Sequence, residues 1–267
     1  MTTNNLMQHV TCAGFPADTH MVHLFIGGSQ LHGAKVVGYD DLDIYGAYVE
    51  PPNRILGLQT LPHFVWSSGA ERALNTASDV DVTCYSLHRW GELMMKGNPA
   101  IVHYLYAENS LSQTVWETHI RPHRESLLSQ KSAQQYLGFA DSQRMRLTGE
   151  RGMGRHGQRQ DLVDKYGYDT KFAMHYIRLL YECRELLRDR HLTLPRPEKA
   201  QLIDIRTGKY NENEMFALGR ELKAECESLL AVSKLPEAPD KVFLSHIVAA
   251  AYIAHWKAQE SNEPKPA

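Results

Sequence analysis

Asp40, Asp41 and Asp43 fall within four positions of the stretch IGGSQLHGAKVVGYDDLDIY, which spans residues 26–45. In an extended strand residues i and i+2 share a face, so Asp41 and Asp43 project together. Two carboxylates set among apolar neighbours are costly unless something positive lies between them. A divalent cation meets that need. Mg²⁺ (or Mn²⁺) takes hard oxygen ligands and is held by one or two carboxylates plus substrate phosphates. A third carboxylate from a neighbouring strand would complete a two-metal site. DVDVTCY (79–85) supplies Asp81, with Asp79 on the same face as the open alternative.

Gly27-Gly28-Ser29 supplies the complementary half. Glycine lets backbone approach a ligand closely. A short helix over Ser29 to Ala34 would turn unpaired N–H groups toward phosphate oxygens, and Ser29 adds a hydroxyl. A triphosphate between that turn and metals on the aspartates suits nucleotidyl transfer. A hydroxyl attacks the α-phosphate and pyrophosphate leaves. The plainer readings are a capped loop for YDDLD and an ordinary tight turn for Gly27-Gly28.

A third cluster lies far along the chain. Lys171, His175 and Arg178 fall at i, i+4 and i+7 on one helical stripe. Facing the triphosphate, the stripe would offer a point charge from lysine and a planar fork from arginine. A solvated face with Glu182 as a further i+4 partner, or a core histidine at His175, stays open. RMRLTGERGMGRHGQRQ (144–160) carries Arg144, Arg146, Arg151, Arg155 and Arg159 against Glu150. It reads as a contact for RNA backbone or triphosphate, or else as a solvated loop. Lys96 lies near the site or simply ends a helix. Trp90, Trp116 and Trp256 read as packing residues. His119 and His123 are spaced as a metal pair, but Pro122 between them argues against it.

The elements that must position these groups follow from patterning. MVHLFIGG (21–28) reads as a buried strand ending in a glycine turn, and residues 41–49 and 79–85 alternate as half-buried strands. Ser86 caps a helix beginning LHRWGELMM, and Gly97-Asn98-Pro99 stops it and starts another. Beyond about residue 115 strand signals nearly vanish. Helices are expected over 125–147, from Asp169 (as cap) to Arg188, over 212–233 and over 240–257, with a chain break at LPRPEK and a frayed tail at SNEPKPA. The expected fold class is α+β: a small mixed sheet with flanking helices over residues 1–115, then a helical region, 116–267, packing on that core.

Several motifs in order resemble one family. Gly28-Ser29, about a dozen residues, then Asp41-x-Asp43 is similar to the signature of the DNA polymerase β nucleotidyltransferase superfamily. With GSQLHG, DLDIYGAYVEPP, YSLHRWGELMMKGNPAIVHYLYA, KYGYDTKFAMHYIRLL, IRTGKY and LPEAPD, the chain resembles the RNA-repair-pathway (RNA-ligase-associated) polymerase β-like family over roughly residues 22 to 250. The resemblance implies metal-binding aspartates at Asp41 and Asp43, a nucleotide-binding Gly28-Ser29, an NTP as substrate and an RNA end as acceptor. Asp40 is a local departure, where a serine looks commoner. It should point away from Asp41 in a strand. Asp81 rests mainly on strand alternation. Alternatives are a protein-modifying adenylyltransferase of antitoxin-like type and a non-catalytic nucleotide- or RNA-binding module.

Bulk properties bound these readings. The chain has 267 residues, 43% of them hydrophobic, and a net charge of −2, so any nucleic-acid contact must be local. Four cysteines lie far apart with no CxxC pair, which argues for reduced thiols in the cytoplasm and against a cysteine zinc site. The N-terminus lacks a signal-peptide pattern, and no run nears the roughly 18 apolar residues of a membrane span.

Overall fold

A computed structural model describes residues 3–36, 40–69, 78–150 and 158–262. Arg151, Arg155 and the tail from residue 263 lie outside the described residues. The first half carries the sheet. Helix α1 (Thr3–Cys12) precedes β1 (His20–Ile26), the short helix α2 (Gly28–Leu31), β2 (Leu42–Val49), α3 (Pro52–Ile55), β3 (His63–Ser67) and β4 (Val80–Ser86). The order across the sheet is β1-β2-β4-β3. β1 runs antiparallel to β2, β2 parallel to β4, and β3 antiparallel to β4. The fold is therefore the α+β class with a small mixed sheet. The parallel register sets Asp43 opposite Asp81.

Alternation along β2 divides its side chains between two apolar clusters. Ile44 and Tyr48 pack with Leu6 and Val10 of α1. Ala47 and Val49 pack toward the helices. Asp43 shares parity with Ala47 and Val49, so it faces the helical side. A bulge between Met21 and His23 breaks strict alternation in β1. Val22 and Phe25 thereby join the helical cluster, while Leu24 joins the other.

The helices follow as α4 (Leu87–Met95), α5 (Pro99–Tyr106), α6 (Gln130–Leu147), α7 (Gln160–Tyr166), α8 (Thr170–Asp189), α9 (Lys199–Arg206), α10 (Glu212–Ala231) and α11 (Lys241–Asn262). A π-helical turn and a 3₁₀ stretch (Arg121–Leu127) precede α6, so the expected helix at 125 begins later. The caps come from side chains. Ser86 Oγ accepts from Arg89 N, Asn98 Oδ1 from Ala100 N, and Asp169 Oδ1 from Lys171 N and Phe172 N. Ser86→Ala is expected to cost about 1 kcal/mol. A lower denaturant midpoint with unchanged slope checks this. α8 is the central helix, with Ile177, Leu180 and Leu186 fully buried. One apolar cluster runs continuously from Val22 and Ala47 through Trp90 and Leu105 to Ile177 and Leu222. Five of these helices and strands lie outside the expected set: α1, α3, β3, α7 and α9. All four cysteines are free thiols. Among the described residues no helix is long and apolar enough to cross a membrane.

Candidate active site

The end of β1, the start of β2 and one face of α8 enclose a cavity of about 400 Å³. Gly28, Ser29, Asp41, Asp43, Lys171, His175 and Arg178 all line it. Three clusters separated by up to 150 positions in sequence thus meet in one space. The stripe on α8 faces this cavity rather than open solvent.

Gly28 is a tight joint. Its φ is +55°, and a Cβ there would lie 1.8 Å from Asp43 Oδ2. Only a residue without a side chain lets this backbone rest against the carboxylate. Gly27 N–H donates to Asp43 O at 2.9 Å and holds the turn in register with β2.

The carboxylates are placed unequally. Asp43 is pushed up to about 7 by burial, then by the charges of Asp41 and Asp81, with Lys171 pulling the other way. Asp81 does not line the cavity but stands beside Asp43 across the strand pair. Asp79 is buried, and its Oδ1 accepts from Ser68 Oγ at 3.1 Å. Asp40 precedes the strand, which begins at Leu42. It is buried in the cavity wall, its Oδ2 accepting from Val36 N at 2.7 Å and its Oδ1 3.8 Å from Lys171 Nζ. It was expected to point away from Asp41 by strand alternation; the strand begins only at Leu42, and the Val36 N–H holds the Asp40 carboxylate in the wall instead. Asp41 and Asp43 offer hard oxygens of the kind Mg²⁺ or Mn²⁺ takes, but with Asp81 they do not, among the described residues, bring three donor atoms within 4.8 Å of one another.

On α8, His175 is kept neutral by burial and then by Arg178 and Lys171. Arg178 Nη1 donates to Glu182 Oε1 at 2.8 Å and to His32 Nε2 at 2.9 Å. Glu182 is fully buried, not a partner on a solvated face. His32 and His103 also line the cavity, and neither was picked out from the sequence. His32 closes the quoted GSQLHG turn, and His103 stood as a lone histidine on the apolar helix AIVHYLYA.

The arginine-rich segment divides. Arg146 and Arg159 line the cavity, and their guanidinium carbons lie 5.6 and 5.2 Å from the Phe172 ring centroid. Arg159 also pairs with Asp169 at 3.3 Å, whereas Arg144 turns to Glu150. Lys96 is an exposed helix C-cap outside the cavity lining. Trp90 and Trp116 are core, and the Trp256 indole donates to Glu50 O. The His123 ring packs edge-on against Phe243. Among the described residues, one trio of metal-ligating side chains has donor atoms all within 4.8 Å of one another: His32, His103 and Glu182. His119 and His123 are not part of it.

A family model for the RNA repair pathway DNA polymerase beta family matches residues 4–249. No curated protein is significantly similar to the chain. Among solved structures, a nucleotidyltransferase-like protein from Exiguobacterium sibiricum shares 9% identity at a TM-score of 0.31, covering 99% of this chain and 81% of that one. So loose a likeness carries no weight for function.

Proposed function

The chain belongs to the RNA repair pathway DNA polymerase beta family, a nucleotidyltransferase family, and on that premise we propose that it moves a nucleoside monophosphate from an NTP to an acceptor hydroxyl, with an RNA end as acceptor, in the cytoplasm. The observation that carries this reading is the convergence of Gly28-Ser29, Asp41 and Asp43, and the Lys171/His175/Arg178 stripe on one cavity. Residues 1–115 form the catalytic core in this reading, and the helical region 116–267 supplies the cationic wall.

Gly28 and Ser29 bring backbone and hydroxyl to the phosphates. Lys171 and Arg178 oppose their charge, and neutral His175 offers a hydrogen bond. Asp41 and Asp43, with Asp81, would hold Mg²⁺ or Mn²⁺. Bound there, the cations supply Lewis-acid stabilisation of charge on the transferring phosphoryl and the leaving group. The acceptor oxygen bonds to the α-phosphorus, the bridge to the β-phosphate breaks, and pyrophosphate departs. Asp81, across the strand pair from Asp43, is the carboxylate this reading assigns to assist removal of the hydroxyl proton.

The acceptor wall is read from Arg146 and Arg159. Among the described residues Arg146 has no carboxylate within ion-pair distance, its described partner being the Phe172 ring. It is therefore the cavity cation best placed to take an RNA phosphate. Arg146→Ala is expected to weaken binding of short RNAs regardless of sequence and to lower the salt-dependence slope by about 1. RNA affinity measured across a salt series tests this. An unchanged slope would remove Arg146 from the RNA path and weaken the case for an RNA acceptor.

A further inference from the structure

Arg178 is the least exposed of the α8 stripe's two charged groups, with a side chain 12% exposed against 23% for Lys171. Its guanidinium does not float in the cavity. Nη1 is fixed by two acceptors at once, Glu182 Oε1 at 2.8 Å and His32 Nε2 at 2.9 Å. Because His32 Nε2 faces an N–H donor, its proton belongs on Nδ1, which lies 3.1 Å from the same Glu182 oxygen without hydrogen-bond geometry. The other oxygen, Oε2, meets His103 Nε2 at 3.2 Å. One buried carboxylate thus gathers groups from three elements that wall the cavity: the turn after α2, α5 and α8.

The electrostatics agree with a fixed charge. Burial pushes the Glu182 carboxyl up, but Arg178, then His103 and His32, outweigh it and hold it well below the usual carboxylate range. Burial and then Arg178 push His32 down to about 3, so it stays a neutral acceptor. The ligand types would suit a transition metal. The guanidinium already takes two of the acceptors such an ion would use, Glu182 Oε1 and His32 Nε2.

We propose that Glu182 is a positioning residue, which, with His32 and His103, holds the Arg178 guanidinium in the cavity wall as a preset fork for the triphosphate of the incoming nucleotide. This rests on the nucleotidyltransferase reading above. It assigns a task to a carboxylate that itself touches no substrate. A charge held in advance does not have to be ordered when the ligand arrives, and that ordering is otherwise a cost of binding.

The test uses a property of buried ion pairs. Removing one partner is strongly destabilising, whereas replacing both with apolar groups of similar size is often neutral. Thermal melts and equilibrium binding of ATP and inorganic tripolyphosphate, each with Mg²⁺, are compared for wild type, Glu182→Gln, Arg178→Met and Arg178→Met/Glu182→Met. Glu182→Gln and Arg178→Met are expected to bind both ligands about 10–100-fold more weakly, the loss of a charge-assisted contact. The double variant is expected to regain melting temperature yet bind no better than Arg178→Met alone, since Glu182 acts through Arg178. A purely structural network gives the opposite: stability and wild-type affinity recover together, which overturns the proposal. Full affinity in Arg178→Met overturns it as well. So does stoichiometric zinc in the purified protein that disappears in His32→Asn. A folded wild type that binds neither ATP nor tripolyphosphate refutes the nucleotidyltransferase reading itself, and this proposal with it.

Discussion

Asp43→Asn is expected to lower nucleotidyl transfer by on the order of 10³-fold, the loss of several kcal/mol of charge stabilisation, without lowering the stability of the metal-free protein at neutral pH. The two effects share one cause. Burial and the neighbouring charges of Asp41 and Asp81 push the Asp43 carboxyl up to about 7. An unfolded aspartate releases its proton at about 3.9. Between those values the folded state binds more protons than the unfolded one. Stability therefore falls as pH rises through that window, and the loss is complete above about pH 7. Asparagine carries no charge and abolishes this slope. Melts in chelator at about pH 5 and about pH 8 should show the wild type losing more than the variant, by roughly 2–4 °C per kcal/mol removed. Added Mg²⁺ or Mn²⁺ should raise the wild-type melting temperature at the higher pH and leave Asp43→Asn unmoved. Equal pH slopes in the two proteins, or wild-type turnover in the variant, would show that Asp43 does not sit in a site built for a cation.

Gly28→Ala should do nearly as much damage through one methyl group. The new Cβ would fall 1.8 Å from Asp43 Oδ2 on a backbone with φ of +55°. The left-handed conformation costs an L-residue roughly 1–2 kcal/mol. The clash must also move either the turn or the carboxylate. A shift of about 1 Å at reacting groups can cost 10²-fold, so turnover is expected to fall by about that factor or more. Stability should drop only modestly, because Gly28 lies at the cavity edge rather than in the apolar core. Steady-state kinetics beside a thermal melt separate the two effects. A variant that unfolds outright, or one with unchanged turnover, would sink the idea that Gly28 serves the close approach to Asp43.

The parts of the fold that patterning exposed are those with strong local signals. β2 and β4 alternate cleanly because one face packs on α1 and the other on the helices. α8 announces itself through the Asp169 cap and twenty uninterrupted helical residues. β3 was missed because it is a five-residue edge strand with His63 and Val65 exposed, so burial imposes little pattern. α1 buries only Leu6 and Val10 among its ten residues. Helices α7 and α9 are seven and eight residues long, too short for a periodic stripe. The candidate site divides the same way. The aspartates, the glycine turn and the α8 stripe each carry their own spacing. Glu182, His32 and His103 do not. The His32–Arg178 contact spans 146 positions and the His103–Glu182 contact 79, so only the folded chain brings them together. Asp40 misled in a local way: strand alternation was applied to a residue two positions before the strand begins.

The most direct test of the central claim is a label-transfer experiment. The purified protein is incubated with NTPs labelled with ³²P at either the α or the γ position, Mg²⁺ or Mn²⁺, and a pool of short RNAs, beside Asp41→Ala/Asp43→Ala. The account predicts α-label on RNA, γ-label released as pyrophosphate, and neither product from the variant. Label on a polypeptide instead would keep the transfer chemistry and replace the acceptor. Label that persists in the double variant, γ-label on the acceptor, or no transfer with either metal would contradict the account.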